Sequence, residues 1–302
     1  MKFASELMTD PIVQQGKIGK AKRSDRNSWA ESIEQVVRNL SPYPCSYDVS
    51  QTQTSRFTEY TYTELLGGMW IATQSVEMNS RIMQLESTAE HKVNIDDIAS
   101  LVRDKYVLSE DDHAHTGAKK VIFMPGHNMM DVASVETVHR LIHEDEEVVI
   151  KPHPITSDEA MGFLGARFGW NRIAPKDASG YQMLLDADTV YTTTASEFAV
   201  SGTALGKKVV NISSFFNETV GAYYCISRLL FQAHKESISK AQDILCSLFA
   251  GRTGIVTPLS SDADGDIQRY YDYSLSVKSM YQDFRDKSQL NPSQPKEVKS
   301  NG

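Results

Sequence analysis

The middle of this 302-residue chain alternates short apolar runs with apolar residues at helical spacing. KKVIFMP and EEVVIKPHP each predict a short buried strand followed by a helix, and TVYTTT and KKVVNIS predict two further strands. Strands that alternate with helices form parallel sheets, because each crossover returns the chain to the same edge of the sheet. The segment from Lys119 to about Ile212 is therefore predicted to be an α/β unit with a Rossmann-like parallel sheet.

The first 117 residues are predicted to be mainly helical. Ser28 and Glu31 have the spacing of a capping box and precede apolar residues at helical intervals up to Leu40. Two more helices are predicted, from Thr63 to about Glu86 and from Ile95 to Tyr106. Between the first two helices, the run SYDVSQTQTSRFTEYTYT suits one or two strands or an extended loop.

These patterns divide the chain into four predicted parts. A largely helical N-terminal domain spans residues 1–117, and the parallel-sheet domain spans residues 118–260. A C-terminal helix over residues 261–287 is expected to pack back on the rest of the chain. The polar tail 288–302 contains two prolines and is expected to be disordered.

Composition limits the classes of protein to consider. A net charge of −8 argues against binding nucleic acid or anionic lipid through the overall field. No apolar run is long enough for a membrane helix, and Glu6 and Asp10 interrupt the place of a signal peptide, so a cytoplasmic protein is expected. One local cluster is basic, and it is either a solvated arm or a contact for a polyanionic acceptor: Lys17, Lys20, Lys22, Arg23 and Arg26.

Polar residues follow the predicted strands, at the edge where ligands bind in open α/β sheets. The three segments are PGHNMMD, KPHP and TTTASE. In the second segment, prolines hold Lys151 and His153 on a stiff, extended backbone. A cation beside an imidazole suits the developing charge of a departing phosphate. The alternative is a lysine in solvent at the strand end and a histidine hydrogen-bonded inside a turn.

Taken together, three stretches resemble successive motifs of the capsule-polysaccharide synthesis family, which includes the Kdo transferases: VIFMPGHNMMDVASV, VVIKPHP and DADTVYTTTASEFAVSGTALGKKVV. A more distant resemblance is to the teichoic-acid polyol-phosphate polymerases. The likeness implies a GT-B-like α/β architecture, here with a reduced, largely helical N-terminal acceptor domain beside the donor domain. It also implies a nucleotide-sugar co-substrate that is CMP-, CDP- or UDP-linked, with no bound cofactor and no metal.

Within this resemblance, Lys151 and His153 match the residues that hold the donor phosphate, and His153 is also expected to take part in catalysis. Asp131 matches a candidate general base. Aspartate before an apolar helix is also a good N-cap, so helix capping is an alternative role for Asp131. His127 and Asn128 share its loop and are either contacts to donor or acceptor or turn residues.

The third motif supplies hydroxyl groups for phosphate oxygens: Thr193, Thr194 and Ser196. The family usually carries a glutamate for the ribose hydroxyls at the position where this chain has Ser201. Glu197 lies one helical turn earlier and is a candidate substitute. This departure leaves the identity of the nucleotide and of the sugar open.

The sequence predicts a glycosyltransferase that moves a sugar from a nucleotide-activated donor to a saccharide hydroxyl. The basic cluster keeps open a phage-type alternative, in which the acceptor is a hydroxymethylated DNA base. A nucleotide-sugar epimerase and a noncatalytic nucleotide-binding module are further alternatives. No metal site is predicted, because HRLIH and DADGD lack the ligand spacing of known metal motifs and DDHAH lies in a predicted linker.

Overall fold

The computed structural model describes most of the chain from Tyr60 to Gln289 and a few residues before it. The described residues are 60–66, 68–73, 76–86, 93–105, 117–217, 221, 223–250, 253–257, 259–260 and 262–289, and nearer the N-terminus 6, 11, 35, 39–40 and 45–47. The basic cluster, the run DDHAH, most of the helix predicted after Ser28 and residues 290–302 lie outside them.

The elements are numbered in chain order. The strands are β1 (Cys45–Tyr47), β2 (Tyr60–Leu65), β3 (Gly68–Thr73), β4 (Lys120–Phe123), β5 (Val148–Lys151), β6 (Thr189–Thr192), β7 (Lys208–Asn211) and β8 (Ile255–Val256). The α-helices are α1 (Val76–Glu86), α2 (Ile95–Lys105), α3 (Val135–Glu144), α4 (Asp158–Phe168), α5 (Gly180–Asp186), α6 (Phe198–Ala204), α7 (Tyr224–His234), α8 (Ile238–Leu248) and α9 (Ala263–Gln289). The 3₁₀-helices are His127–Val132 and Trp170–Arg172.

Strands β4 to β7 form a parallel sheet in the order β5-β4-β6-β7. The predicted α/β fold is confirmed, and each of the four strands lies inside the run that predicted it. α3 connects β4 to β5, α4 and α5 connect β5 to β6, and α6 connects β6 to β7. The chain therefore leaves β4 in one direction for β5 and crosses back to β6, so the boundary between β4 and β6 is the switch point of the sheet.

Both faces of this sheet are covered, because strand side chains alternate between two cores. On β4, Val121 and Phe123 join one core, whereas Ile122 joins the other. The second core contains residues of α3 and α4. The first core is larger and contains residues of α1, α2 and α5 to α8. Helices from before residue 117 therefore complete the layer over the parallel sheet.

A second sheet has the strand order β1-β2-β3-β8 and is antiparallel except between β1 and β2. The helix predicted from Thr63 to Glu86 is therefore wrong over its first half, where β2 and β3 form a hairpin before α1 begins. β8 lies against this hairpin so closely that a Cβ at Gly68 would be 2.4 Å from the carbonyl oxygen of Val256. Leu65 and Trp70 thus enter the larger core from a hairpin and not from a helical stripe.

Helices α1 and α2, which lie before residue 117, pack against helices that follow the parallel strands. α2, which confirms the helix predicted from Ile95, contacts α6 and α8, and α1 contacts α7 and α9. Tyr270 on α9 is buried, and its hydroxyl donates to Asn79 Oδ1 on α1 at 2.8 Å. α9 therefore packs against α1 at this position. Within the described part of the chain, no helix is both long and apolar enough to cross a bilayer.

Candidate functional site

The carboxyl ends of the parallel strands place three post-strand segments at one edge of the sheet. Lys151 pairs with Phe123 at the end of β5 and β4, and Thr192 pairs with Asn211 at the end of β6 and β7. Adjacent strands are about 4.8 Å apart, so the ends of β5 and β6 lie roughly 10 Å apart on either side of β4. That span includes the switch point and suits a ligand of the size of a nucleotide phosphate group.

Lys151 lies inside the protein, with 3% of its surface exposed. Its ammonium donates to the carbonyl oxygens of Pro152 at 2.6 Å and Lys176 at 3.0 Å. Burial lowers the pKa of Lys151 from 10.5 to about 8, although the negative charge of Asp177 opposes this shift. The alternative of a solvated strand-end lysine is therefore wrong, because this side chain braces the KPHP segment against the loop that precedes α5.

His153 is half-buried and hydrogen-bonded within its own turn, as the alternative to a phosphate-binding role predicted for this residue. Its Nδ1 accepts from the backbone N–H of Ile155 at 3.2 Å, and its carbonyl accepts from Thr156 at 2.9 Å. An Nδ1 that accepts a hydrogen bond carries no proton, so the neutral ring carries its proton on Nε2. With Nδ1 as the acceptor, Nε2 is the ring nitrogen that can donate a hydrogen bond.

The segment after β6 brings threonine hydroxyls into the same edge. Thr192 and Thr193 are both fully buried, and neither hydroxyl has a hydrogen-bond partner among the described residues. Thr194 is held differently: its N–H donates to Ser213 Oγ at 2.9 Å, and that hydroxyl donates to Thr194 Oγ1 at 3.3 Å. Ser196 Oγ accepts from the N–H of Phe198 at 3.2 Å and so satisfies a donor in the first turn of α6.

Glu197 joins the parallel-sheet half to the N-terminal half. Its Oε2 forms an ion pair with Lys105 Nζ at 2.5 Å, and its Oε1 accepts from the backbone N–H of Leu66 at 3.2 Å. The two charged side chains are 10% and 12% exposed. Ser201, where the resembling family has a glutamate, is fully buried in α6. A glutamate at position 201 would therefore place a carboxylate in the core.

Asp131 lies in the 3₁₀-helix after β4 and is exposed. The amide Nδ2 of Asn217 donates to its backbone oxygen at 3.0 Å and to its Oδ2 at 3.3 Å. The N-cap alternative for Asp131 is wrong, because α3 begins later and Ser134 Oγ accepts from the N–H of Thr137. His127 and Asn128 belong to the same 3₁₀-helix, and their side chains lie outside what the structure describes.

The sequence predictions did not include the segment after β7. Residues Ser214–Asn217 form a turn closed by a hydrogen bond from Asn217 N–H to Ser214 O at 3.2 Å, and we call it the Phe215–Phe216 turn. Its two central side chains are 83% and 88% exposed. The available signal was the adjacent phenylalanine pair one residue after the strand run KKVVNIS, where turns normally carry polar residues.

Histidine, cysteine and carboxylate side chains are the groups that commonly bind metals. Among the residues that the structure describes, three or more His, Cys, Asp or Glu side chains nowhere come together in a metal-binding group. His139 and His143 of HRLIH are both exposed on α3, with ring centroids 5.7 Å apart. Cys225 and Cys246 are buried free thiols, and burial raises the pKa of Cys225 to about 11.

No known protein-family model matches the chain, and neither does any curated protein. Among solved structures, the chain is similar to a putative UDP-N-acetylglucosamine 2-epimerase from Listeria monocytogenes, with 13% identity and a TM-score of 0.28 over 68% of this chain and 53% of that chain. It is also similar to Thermosulfurimonas dismutans KpsC, a beta Kdo 2,4 transferase, with 13% identity and a TM-score of 0.34 over 56% of this chain and 68% of that chain. The chain thus spans about half the length of the epimerase. At these scores neither likeness carries an argument about activity.

Proposed function

We propose that this chain is a metal-independent glycosyltransferase of GT-B type, which moves a sugar from a nucleotide-activated donor to a saccharide hydroxyl. One observation carries the proposal: an imidazole, a buried hydroxyl and an exposed carboxylate follow β5, β6 and β4, which are three neighbouring strands of one parallel sheet. These are the groups that phosphate departure and hydroxyl deprotonation require.

The donor phosphate is assigned to the ends of β5 and β6. His153 Nε2–H and the Thr193 hydroxyl are donors for phosphate oxygens, and the Thr193 hydroxyl has no other partner in the described part of the chain. Lys151 contributes a positive charge at the end of β5 and holds the KPHP backbone in place. Donors in a buried site stabilise a leaving phosphate more than they would in water, because the local dielectric is lower.

The acceptor hydroxyl is assigned to Asp131. Its carboxylate is exposed and accepts the Asn217 amide at Oδ2. As the acceptor oxygen bonds to the anomeric carbon, the bond from that carbon to the phosphate oxygen breaks and the nucleotide leaves with the electron pair. Asp131 takes the proton of the acceptor hydroxyl in this step.

Three assignments of the sequence analysis belong to this proposal and are open to test. Residues 1–117 are assigned to the acceptor side and residues 118–260 to the donor side. Glu197 is engaged by Lys105 and Leu66, so a role in ribose binding requires that it exchange these partners for the donor. A hydroxymethylated DNA acceptor, suggested by the basic cluster Lys17 to Arg26, competes with the saccharide acceptor. The second experiment below distinguishes the two.

The first experiment is a thermal-shift panel with CMP, CDP, UDP and GDP. A nucleotide at about 100 times its Kd adds about 2.7 kcal/mol to the free energy of unfolding, so one of the four is expected to raise Tm clearly. The absence of any shift would count against the whole proposal.

The second experiment follows the matching nucleotide sugar by mass spectrometry, without acceptor and with either oligosaccharides or hydroxymethylated duplex DNA. We expect consumption of the donor and a sugar added to the oligosaccharide. Conversion of the donor alone to an isomer would identify an epimerase, and an intact donor throughout would identify a binding module. Transfer to DNA that weakens steeply with salt would reassign the acceptor.

A further inference from the structure

Two adjacent aromatic side chains stand out from the surface beside the candidate site. Phe215 and Phe216 are 83% and 88% exposed, and their rings are nearly perpendicular, with centroids 5.6 Å apart. Central turn positions usually hold glycine, proline or short polar residues. The rings of Phe215 and Phe216 bury little of their surface, so they contribute little to folding. Exposed apolar clusters on a folded protein commonly mark a ligand site.

The Phe215–Phe216 turn is attached firmly to the carboxyl edge of the sheet. Ser214 N–H donates to Val132 O at 2.6 Å, and Ala133 and Ser213 form an antiparallel bridge. Ser213 is also bonded to Thr194 after β6. The aromatic pair therefore projects from a backbone that is hydrogen-bonded to the segments following both β4 and β6.

The same turn carries the residue that contacts the candidate base. Asn217 follows Phe216 directly, and its side-chain amide donates to both the backbone oxygen and the carboxylate of Asp131. The aromatic pair and the Asp131 carboxylate thus belong to one hydrogen-bonded unit. The residue that contacts Asp131 is therefore the direct chain neighbour of Phe216.

The chemistry of the turn selects among possible ligands. Its central rings are uncharged, and the flanking side chains Ser214 and Asn217 are neutral, so these four residues supply no cation for a phosphate group. A pyranose suits it, because the C–H face of the sugar packs on an aromatic ring while its hydroxyls remain available to polar neighbours. We propose that the Phe215–Phe216 turn is the stacking platform for the pyranose ring of the acceptor saccharide. This inference rests on the proposed function.

Binding is tested without any donor by saturation-transfer NMR on the full chain, with the methyl pyranosides of glucose, galactose and N-acetylglucosamine as probes. At least one probe is expected to receive saturation at its ring C–H protons from the wild-type protein. The signal is expected to fall by about tenfold in F215A/F216A and to persist in F215W/F216W. Phe163→Ala, which removes a half-exposed phenylalanine from α4, is the matched control and is expected to keep the signal.

Kinetics separate this inference from the function on which it rests. In F215A/F216A, the KM for the acceptor should rise by about tenfold, while the nucleotide-induced Tm shift stays that of the wild type. A weakened nucleotide shift would place the donor base on the turn and overturn the inference, as would an unchanged acceptor KM or the absence of saturation from every probe. If pyranosides bind to the turn but no nucleotide shifts Tm, the transferase proposal fails and the platform stands.

Discussion

The two edges of the parallel sheet differ in how their polar groups are hydrogen-bonded. At the amino edge, the guanidinium of Arg172 donates to the carbonyl oxygens of Ile142, Asp145 and Val148. Lys120 pairs there with Asp145 at 2.6 Å and with Glu147 at 3.0 Å. Charged side chains at this edge therefore satisfy carbonyl groups and one another, and they hold the ends of α3 and β5 together.

At the carboxyl edge, several buried polar groups have no hydrogen-bond partner among the described residues. The hydroxyls of Thr156, Thr192 and Thr193 are buried without a hydrogen-bond partner in the residues described. Burying such groups lowers stability unless a ligand completes their hydrogen bonds. Asp131 and the Phe215–Phe216 turn are exposed at the same edge. The amino edge thus stabilises the fold, and we propose that the carboxyl edge binds a ligand.

Two lysines at opposite ends of neighbouring strands show the same contrast. The hydrogen bonds from Lys120 to Asp145 and Glu147 raise the pKa of Lys120, and the hydrogen bond from Lys120 lowers the pKa of Asp145. Burial instead lowers the pKa of Lys151 to about 8. The first lysine stays charged at any physiological pH, whereas the charge of the second depends on pH.

The largest effect is expected at the carboxyl edge, from Asp131→Asn. Loss of the general base should lower kcat by about 10²- to 10⁴-fold, while nucleotide binding and Tm stay close to those of the wild type. Asp188→Asn, which changes an exposed carboxylate at the amino edge, is the control and should leave kcat unchanged. Equal kcat values for Asp131→Asn and the wild type would remove Asp131 from the reaction.

The next effect is expected at the amino edge, from Arg172→Met. Three carbonyl oxygens lose their side-chain donors, so the free energy of unfolding should fall by about 3 kcal/mol, as measured by urea denaturation. Arg167→Met, at an exposed position on α4, should change it little. Nucleotide affinity should be retained by both variants, and a selective loss of affinity in Arg172→Met would contradict the division between the edges.

Local sequence patterns predicted the parallel sheet and failed at the hairpin, for a physical reason. Each parallel strand is a short apolar run with its own turn signals, so its position is visible within a few residues. The hairpin of β2 and β3 is stabilised by β8, whose residues Ile255 and Val256 are distant in sequence. The apolar spacing from Leu65 to Met69 imitates a helix, and the pairing partner that decides otherwise is not visible locally.

The candidate site was predictable in position but not in its internal contacts. The strand-end rule located Lys151, His153 and Thr193 at one edge before any geometry was known. The engagement of Glu197 by Lys105 depends on α2 packing against α6, which no local pattern encodes. The Phe215–Phe216 turn has a clear local signature, but its relevance depends on the contact from Asn217 to Asp131.

A smaller effect is expected from Thr193→Val, which tests whether a buried hydroxyl of the carboxyl edge binds the nucleotide. The Kd for the nucleotide should rise by about tenfold, because a hydrogen bond to a charged phosphate is lost. The free energy of unfolding should rise by up to about 1 kcal/mol, since a methyl group replaces a buried hydroxyl that has no partner among the described residues.

Ser227→Ala is the matched control for this comparison. Ser227 is also fully buried, and its hydroxyl likewise finds no partner within the described chain, but it lies on α7, away from the strand ends. Its replacement should stabilise the fold without changing the nucleotide Kd. If Thr193→Val also left the Kd within about twofold, the buried hydroxyl would be a feature of packing and not of binding.

The smallest effect is expected from pH, acting through Lys151. The pKa of about 8 means that the ammonium loses its proton as pH rises from 7 to 9, so the nucleotide Kd should rise by about threefold over this range. Lys151→Met should give a flat profile at the weaker value. The stability of the fold should increase with pH. Between pH 8 and 10.5, Lys151 is protonated in the unfolded chain but mostly deprotonated in the folded one. The unfolded chain therefore binds more protons, and the free energy of unfolding rises with pH. A nucleotide Kd that stayed constant from pH 7 to 9, while stability still rose above pH 8, would show that Lys151 acts on folding alone.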